Sequence, residues 1–185
     1  MKRLTFLSFA LLFVFSLANG QTQKSENSGT KENKKEHMTA MAPLKKLGGV
    51  NVSEISKNSF EEDFGDIPNV KWERVGPFDV ATFVKNGKEM VANYDIDGKL
   101  VGTTQAATLS DIPASARKEI KSRYKDYKIV NIIFYDDNEA NDTDMVLYGV
   151  QFEDADNYFV EMTKGTNKIV LKVSPLGEVI FFKQL

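Results

Sequence analysis

The chain has 185 residues, with 24 Lys and Arg against 26 Asp and Glu, one His and no Cys. The lack of cysteine removes thiol nucleophiles, thiolate metal sites and disulfide staples, so the fold must rest on an ordinary apolar core. A single histidine, His37, removes a Ser-His-Asp triad, a His-based acid–base pair and a multi-His zinc site.

The first twenty residues, MKRLTFLSFALLFVFSLANG, read as a secretory signal peptide. Lys2 and Arg3 form a charged head, Leu4 to Ala18 is apolar apart from Thr5, Ser8 and Ser16, and Ala18-Asn19-Gly20 offers small residues for cleavage after Gly20. The apolar run, about 15 residues, is shorter than the roughly 20 needed to span a bilayer. No integral membrane segment is therefore expected after cleavage, and no Cys follows the run for lipid attachment. The expected location is the periplasm or the exterior.

Residues 21–50 hold six Lys and three Glu and show no apolar periodicity until their end. Such a stretch cannot bury enough apolar area to offset its ordering entropy, so it reads as a disordered polar linker that contains His37 and ends near Gly48-Gly49. The folded part, 51–185, carries 16 Lys and Arg against 23 Asp and Glu. Its negative balance argues against nucleic acid and fits poorly with an anionic membrane surface.

In chain order, SEISKNSFEEDFGDIP predicts a helix with Ser53 as N-cap, Glu54 at the positive end of its dipole, Phe60 and Phe64 on one face, and Gly65 and Pro68 at its end. Four strands follow: VKWERV, FDVATFVK, KEMVANYDI and KLVGTTQA. Asn86-Gly87 and Asp97-Gly98 are dipeptides suited to tight two-residue hairpins. A second helix is predicted from SDIPASARKEIKSRYKDY, with Pro113 in its first turn and Ile112, Ala116, Ile120 and Tyr124 as its apolar stripe. KIVNIIFYD, DMVLYGVQFED, NYFVEMTK, NKIVLKV and EVIFFKQL are five further strand candidates, one of which must be a continuation or an edge. The order of elements, helix then meander, thus occurs twice, over 51–108 and 109–185.

A two-residue turn at Asn86-Gly87 sets Phe83 opposite Met90, Ala81 opposite Ala92 and Asp79 opposite Tyr94. Extension through Asp97-Gly98 sets Tyr94 opposite Val101. One face then carries Ala81, Phe83, Met90, Ala92, Tyr94 and Val101, with small alanines beneath which a helix can pack. The other carries Phe78, Val80, Val84, Val91 and Leu100 among polar residues, a candidate partner-binding face of an antiparallel sheet.

Trp72 after the short helix, the F-x-x-x-x-F-x-x-N-G-x-E run from Phe78 to Glu89, Y-D-x-D-G-K-L from Tyr94 to Leu100 and I-P-x-x-x-R-x-x-I-x-x-x-Y from Ile112 to Tyr124 resemble the β-lactamase-inhibitor-like, PepSY-like family of exported Gram-negative bacterial proteins. The resemblance covers roughly 52–185. It implies an α+β fold of tandem helix-plus-four-strand repeats forming one antiparallel sheet with helices packed on one face. The inhibitor that names the family grips an enzyme with its open, concave sheet face. No inhibitor contact residue matches a position here, and that inhibitor contains cysteines. PepSY-type domains are proposed to restrain peptidases, and no residue here identifies a peptidase partner.

No catalytic, cofactor or metal residue is assigned. Asp97 falls to the Asp-Gly turn and Asp95 to a polar position on the solvent face, rather than the two forming a carboxylate pair. DDNEANDTD, residues 136–144, is the densest acidic run, but it has Asn141 where an EF-hand needs Gly and Leu147 where it needs Glu. It reads as a polar hairpin loop kept mobile by self-repulsion. Trp72 is assigned to the core, with an interface anchor as the alternative. The leading function is an exported, non-enzymatic binding or inhibitor-like module for a periplasmic protein or peptide. The alternatives are a carboxylate-based hydrolase and a Ca²⁺ or small-ligand sensor built on 136–144.

Overall fold

The computed structural model describes residues 43–45 and 51–185. The expected signal peptide, His37 and the linker apart from 43–45 lie outside the described residues. In chain order the elements are α1 (Glu54–Phe64), β1 (Lys71–Val75), β2 (Phe78–Lys85), β3 (Lys88–Tyr94), β4 (Leu100–Ala106), α2 (Ala114–Arg123), β5 (Lys128–Asp137), β6 (Met145–Leu147), β7 (Val150–Phe152), β8 (Asn157–Lys164), β9 (Asn167–Val173) and β10 (Val179–Gln184). No helix among the described residues is long and apolar enough to cross a membrane.

The start of α1 is fixed by side chains. Ser53 Oγ accepts the Ser56 N–H at 3.0 Å, and at the other end the Gly65 N–H donates to the Glu61 carbonyl at 2.9 Å. Asp79 of β2 ties this helix to the sheet. Its carboxylate accepts from the Ser53 N–H, the Ser56 hydroxyl and Arg74 Nε at 2.9, 2.9 and 2.8 Å, and it is wholly buried. Burial alone would raise this carboxyl; the Arg74 guanidinium and the two serines outweigh burial and hold it below the ordinary carboxylate range. In α2, Pro113 occupies the N-cap position, one residue ahead of the expected first turn, and Ile112, Ala116 and Ile120 are buried.

Eight strands form one antiparallel sheet in the order β1-β2-β3-β4-β5-β8-β9-β10, so four strands of the main sheet follow each helix. The fold is α+β. The β2–β3 register matches the hairpin arithmetic at Asp79↔Tyr94, Ala81↔Ala92 and Phe83↔Met90. At the next turn the register differs from expectation. The Asp95 N–H donates to the Lys99 carbonyl at 3.0 Å, which leaves three loop residues, Ile96-Asp97-Gly98, with Gly98 at φ 70°. This is the three-residue hairpin with a bulge rather than the two-residue one. Tyr94 therefore faces Leu100, the register shifts between Asn93 and Tyr94, and Leu100 and Val101 exchange faces. Leu100 packs with the α1 cluster, and Val101 is buried in the cluster on the opposite face.

Both helices cover the same side. Phe60 of α1 packs on Ala81, Phe83, Ala92 and Tyr94. Trp72 joins this group edge-on to Phe60 at 5.5 Å, so it belongs to the core. Ile112, Ala116 and Ile120 pack on Ile132, Val160, Leu171 and Val173. The stretch expected as a single strand, DMVLYGVQFED, is instead the β6–β7 hairpin, a separate two-stranded sheet. Its turn is Tyr148-Gly149, with φ of 53° and 70°, the positive angles of a type I′ hairpin.

Candidate functional site

The face opposite the helices is built from alternate residues of β2 to β5, β8 and β9, and the β6–β7 hairpin folds back over its second half. Met145, Leu147 and Phe152 join Ile133, Tyr135, Phe159 and Val170 in one buried cluster. Phe152 meets Tyr135 and Phe159 edge-on at 5.2 and 5.0 Å. Three polar ties hold the hairpin down. The Tyr148 hydroxyl donates to Glu161 at 2.6 Å, Lys183 Nζ donates to the Tyr148 carbonyl, and Lys172 pairs with Glu153. Burial, reinforced by the Glu161 carboxylate, raises the Tyr148 hydroxyl well above the ordinary tyrosine range.

The loop that leads into the hairpin is pinned too. Asp95 is buried rather than solvent-facing as expected, because it accepts from the Asp97 and Lys99 N–H groups with Oδ1 and from Asn141 Nδ2 at 3.0 Å with Oδ2. Asn138 and Asn141 each donate to the Leu100 carbonyl, at 2.7 and 3.0 Å. The acidic run 136–144 is thus anchored by its two asparagines, which offsets the self-repulsion expected to free it. Among the described residues no group of three or more carboxylates converges as a metal cage. Asp97 belongs to the turn, and the Asp95 carboxylate is engaged by amides.

A second carboxyl cluster lies where β5 leaves the sheet. The Tyr135 hydroxyl donates to Asp137 at 2.9 Å, the Asp137 N–H donates to Asp156 at 2.8 Å, and Asp154 Oδ1 is buried without a hydrogen-bond partner among the described residues. Burial first, then the Asp137 carboxylate beside it, pushes the Asp154 carboxyl up to about 7. Asp137 belongs to the acidic run noted in the sequence, but its proximity to Asp154 and Asp156 was not legible there, nor was the hairpin. The Tyr-Gly dipeptide at 148–149 was the available signal for a turn inside the presumed strand.

The five residues of the candidate partner face fall into three environments. Phe78 and Val80 are buried in the cluster that the hairpin completes, and Leu100 lies on the helix side. Val91 is half-buried at the margin of that cluster, and Val84 is 58% exposed. The outer portion of β2 to β4 stays uncovered, and there Thr82, Val91 and Thr104 stand in one cross-strand row beside Val84.

No protein-family model matches the chain, and no curated protein matches it. Solved structures do. A DUF2874 family protein from Bacteroides uniformis is 14% identical with a TM-score of 0.59, over 72% of this chain and 89% of that one. A protein from Bacteroides eggerthii, proposed to be periplasmic, is 16% identical with a TM-score of 0.58, over 73% and 88%. A BLIP-like protein from Bacteroides fragilis is 17% identical with a TM-score of 0.56, over 75% and 89%. The chain is similar in fold to a BLIP-like protein. At these identities the likeness concerns the fold alone, and the PepSY half of the resemblance rests on the sequence motifs.

Proposed function

We propose that the protein is an exported, non-enzymatic binding module of the inhibitor-like kind, which engages a protein or peptide partner in the periplasm with the uncovered outer part of its sheet face. The observation that carries this reading is Val84. It is a β-branched residue inside a strand, more than half exposed, on a part of the non-helical face that the hairpin leaves bare. A pleated row of Thr82, Val91 and Thr104 beside it offers a flat, mixed apolar and polar surface of the type that specific interfaces use. Further support comes from the secretory leader in the sequence and from the structural likeness to a BLIP-like protein and to a protein proposed to be periplasmic. The two helix-plus-four-strand units are read as a duplicated scaffold, on the order of their elements.

The test is comparative capture from periplasmic extract of the native host. Val84→Asp adds a charge to an exposed position and leaves the core intact, whereas Val80→Asp would strike the buried cluster and is uninformative. The expected result is that Val84→Asp loses the partner that the native protein retains, while Lys118→Glu on α2 keeps it. Equal capture by Val84→Asp of every protein bound by the native chain overturns the reading.

A further inference from the structure

On the opposite, helix-bearing side lies a cavity of about 190 Å³ at the C-terminal end of α1, over β4 and β5. Phe64, Met90 and Leu100 supply an apolar wall, and Thr103 and Asp136 supply oxygen. Thr103 and Asp136 are direct cross-strand partners, so their side chains stand side by side on the same face. Thr103 is only 6% exposed, and its hydroxyl has no hydrogen-bond partner among the described residues. A buried hydroxyl without a partner costs free energy that a ligand able to hydrogen-bond would recover.

The charges point to the sign of that ligand. Burial, and then the carboxylates of Asp156, Glu139 and Asp137, raise the Asp136 carboxyl above the ordinary range, and none of the described lining residues is basic. A cation beside Asp136 relieves that repulsion. A hard divalent ion would demand six or more oxygen ligands, and one carboxylate with one hydroxyl does not provide them. An ammonium group on an alkyl chain matches both halves of the site, since it has N–H donors for oxygen and methylenes for the apolar wall. The Phe64 ring already carries an ammonium, Lys85 Nζ, at 5.0 Å from its centroid.

We propose that this cavity is a binding site for a primary alkylammonium group, its chain lying along Phe64, Met90 and Leu100 and its nitrogen held between the Asp136 carboxylate and the Thr103 hydroxyl. The site is on the other side of the sheet from Val84, so it stands or falls independently of the partner surface.

The test is an amide-NMR titration of the isotope-labelled folded chain with n-butylammonium chloride, with n-butanol and sodium chloride as matched controls. Saturable shifts centred on Gly102 to Gln105 and on Asp136 are expected, with a Kd in the millimolar range for a ligand of about five heavy atoms. Thr103→Val and Asp136→Asn, each with an otherwise native spectrum, should weaken binding about tenfold or more, as for a lost hydrogen bond to a charged group. Equal shifts with n-butanol, undiminished binding in both variants, or no saturable shift in the native chain each overturn the proposal.

Discussion

Asp154 holds its proton to about pH 7 because one carboxylate oxygen is buried and Asp137 stands beside it. The sign of the consequence follows from linkage. An unfolded aspartate releases its proton near pH 3.8 to 3.9, so between there and about 7 the native chain binds more protons than the unfolded one, and stability declines as pH rises. Asp79 and Glu153, held low, act with the opposite sign and only at the acid end, where ordinary carboxylates protonate. A series of melting curves from pH 5 to 8 should therefore show Tm falling. After allowance for solvent screening, the loss is on the order of 1 kcal/mol, or about 3–5 °C for a domain of this size. Asp154→Asn should reduce the slope without abolishing it, because Asp136 is raised as well. A Tm that does not fall over this range, or an unchanged slope in the variant, contradicts the assignment. Legibility at this scale depended on sequence distance. The Ser53 cap and the Gly65 stop were readable because their partners lie within one helical turn. Asp154 was not, because its partner belongs to β5.

Secondary-structure elements were legible where their signals were local, and faces were lost where a single residue decided them. Asp97-Gly98 marked a turn correctly, but the loop has three residues instead of two, and with a side-chain period of two that one residue moves Leu100 and Val101 to opposite sides. The β6–β7 hairpin escaped because its residues alternate as a strand would and its turn contains Tyr148, a bulky residue at positive φ. Its burial of Phe78 and Val80 is a long-range effect that no pattern in β2 announces. The hairpin should be a principal support of the second half. Phe152 is almost wholly buried between Tyr135, Phe159 and Phe182. Phe152→Ala should cost about 3–5 kcal/mol in denaturant unfolding. A loss under about 1 kcal/mol would mean that the hairpin rests loosely on the sheet.

At the scale of the whole molecule, the helix-then-meander order was readable from turn dipeptides and apolar spacing, and the shared helical side was implied by the family resemblance. The thickness of the fold was not. The first half is a helix on a sheet whose inner residues, Phe78, Val80 and Val101, join the edge of the hairpin's cluster. The second is a helix, a sheet and a hairpin, with β5, β8 and β9 enclosed on both sides. Enclosure of this kind sets how often a backbone amide meets solvent deuterium. Local opening of β8 and β9 requires loss of two packed layers, whereas β1 has a single covered face and a free edge. Native-state hydrogen exchange should accordingly follow a gradient across the sheet, fastest in β1 and slowest in the β8–β9 ladder, which would then report global unfolding while the rim next to α1 breathes on its own.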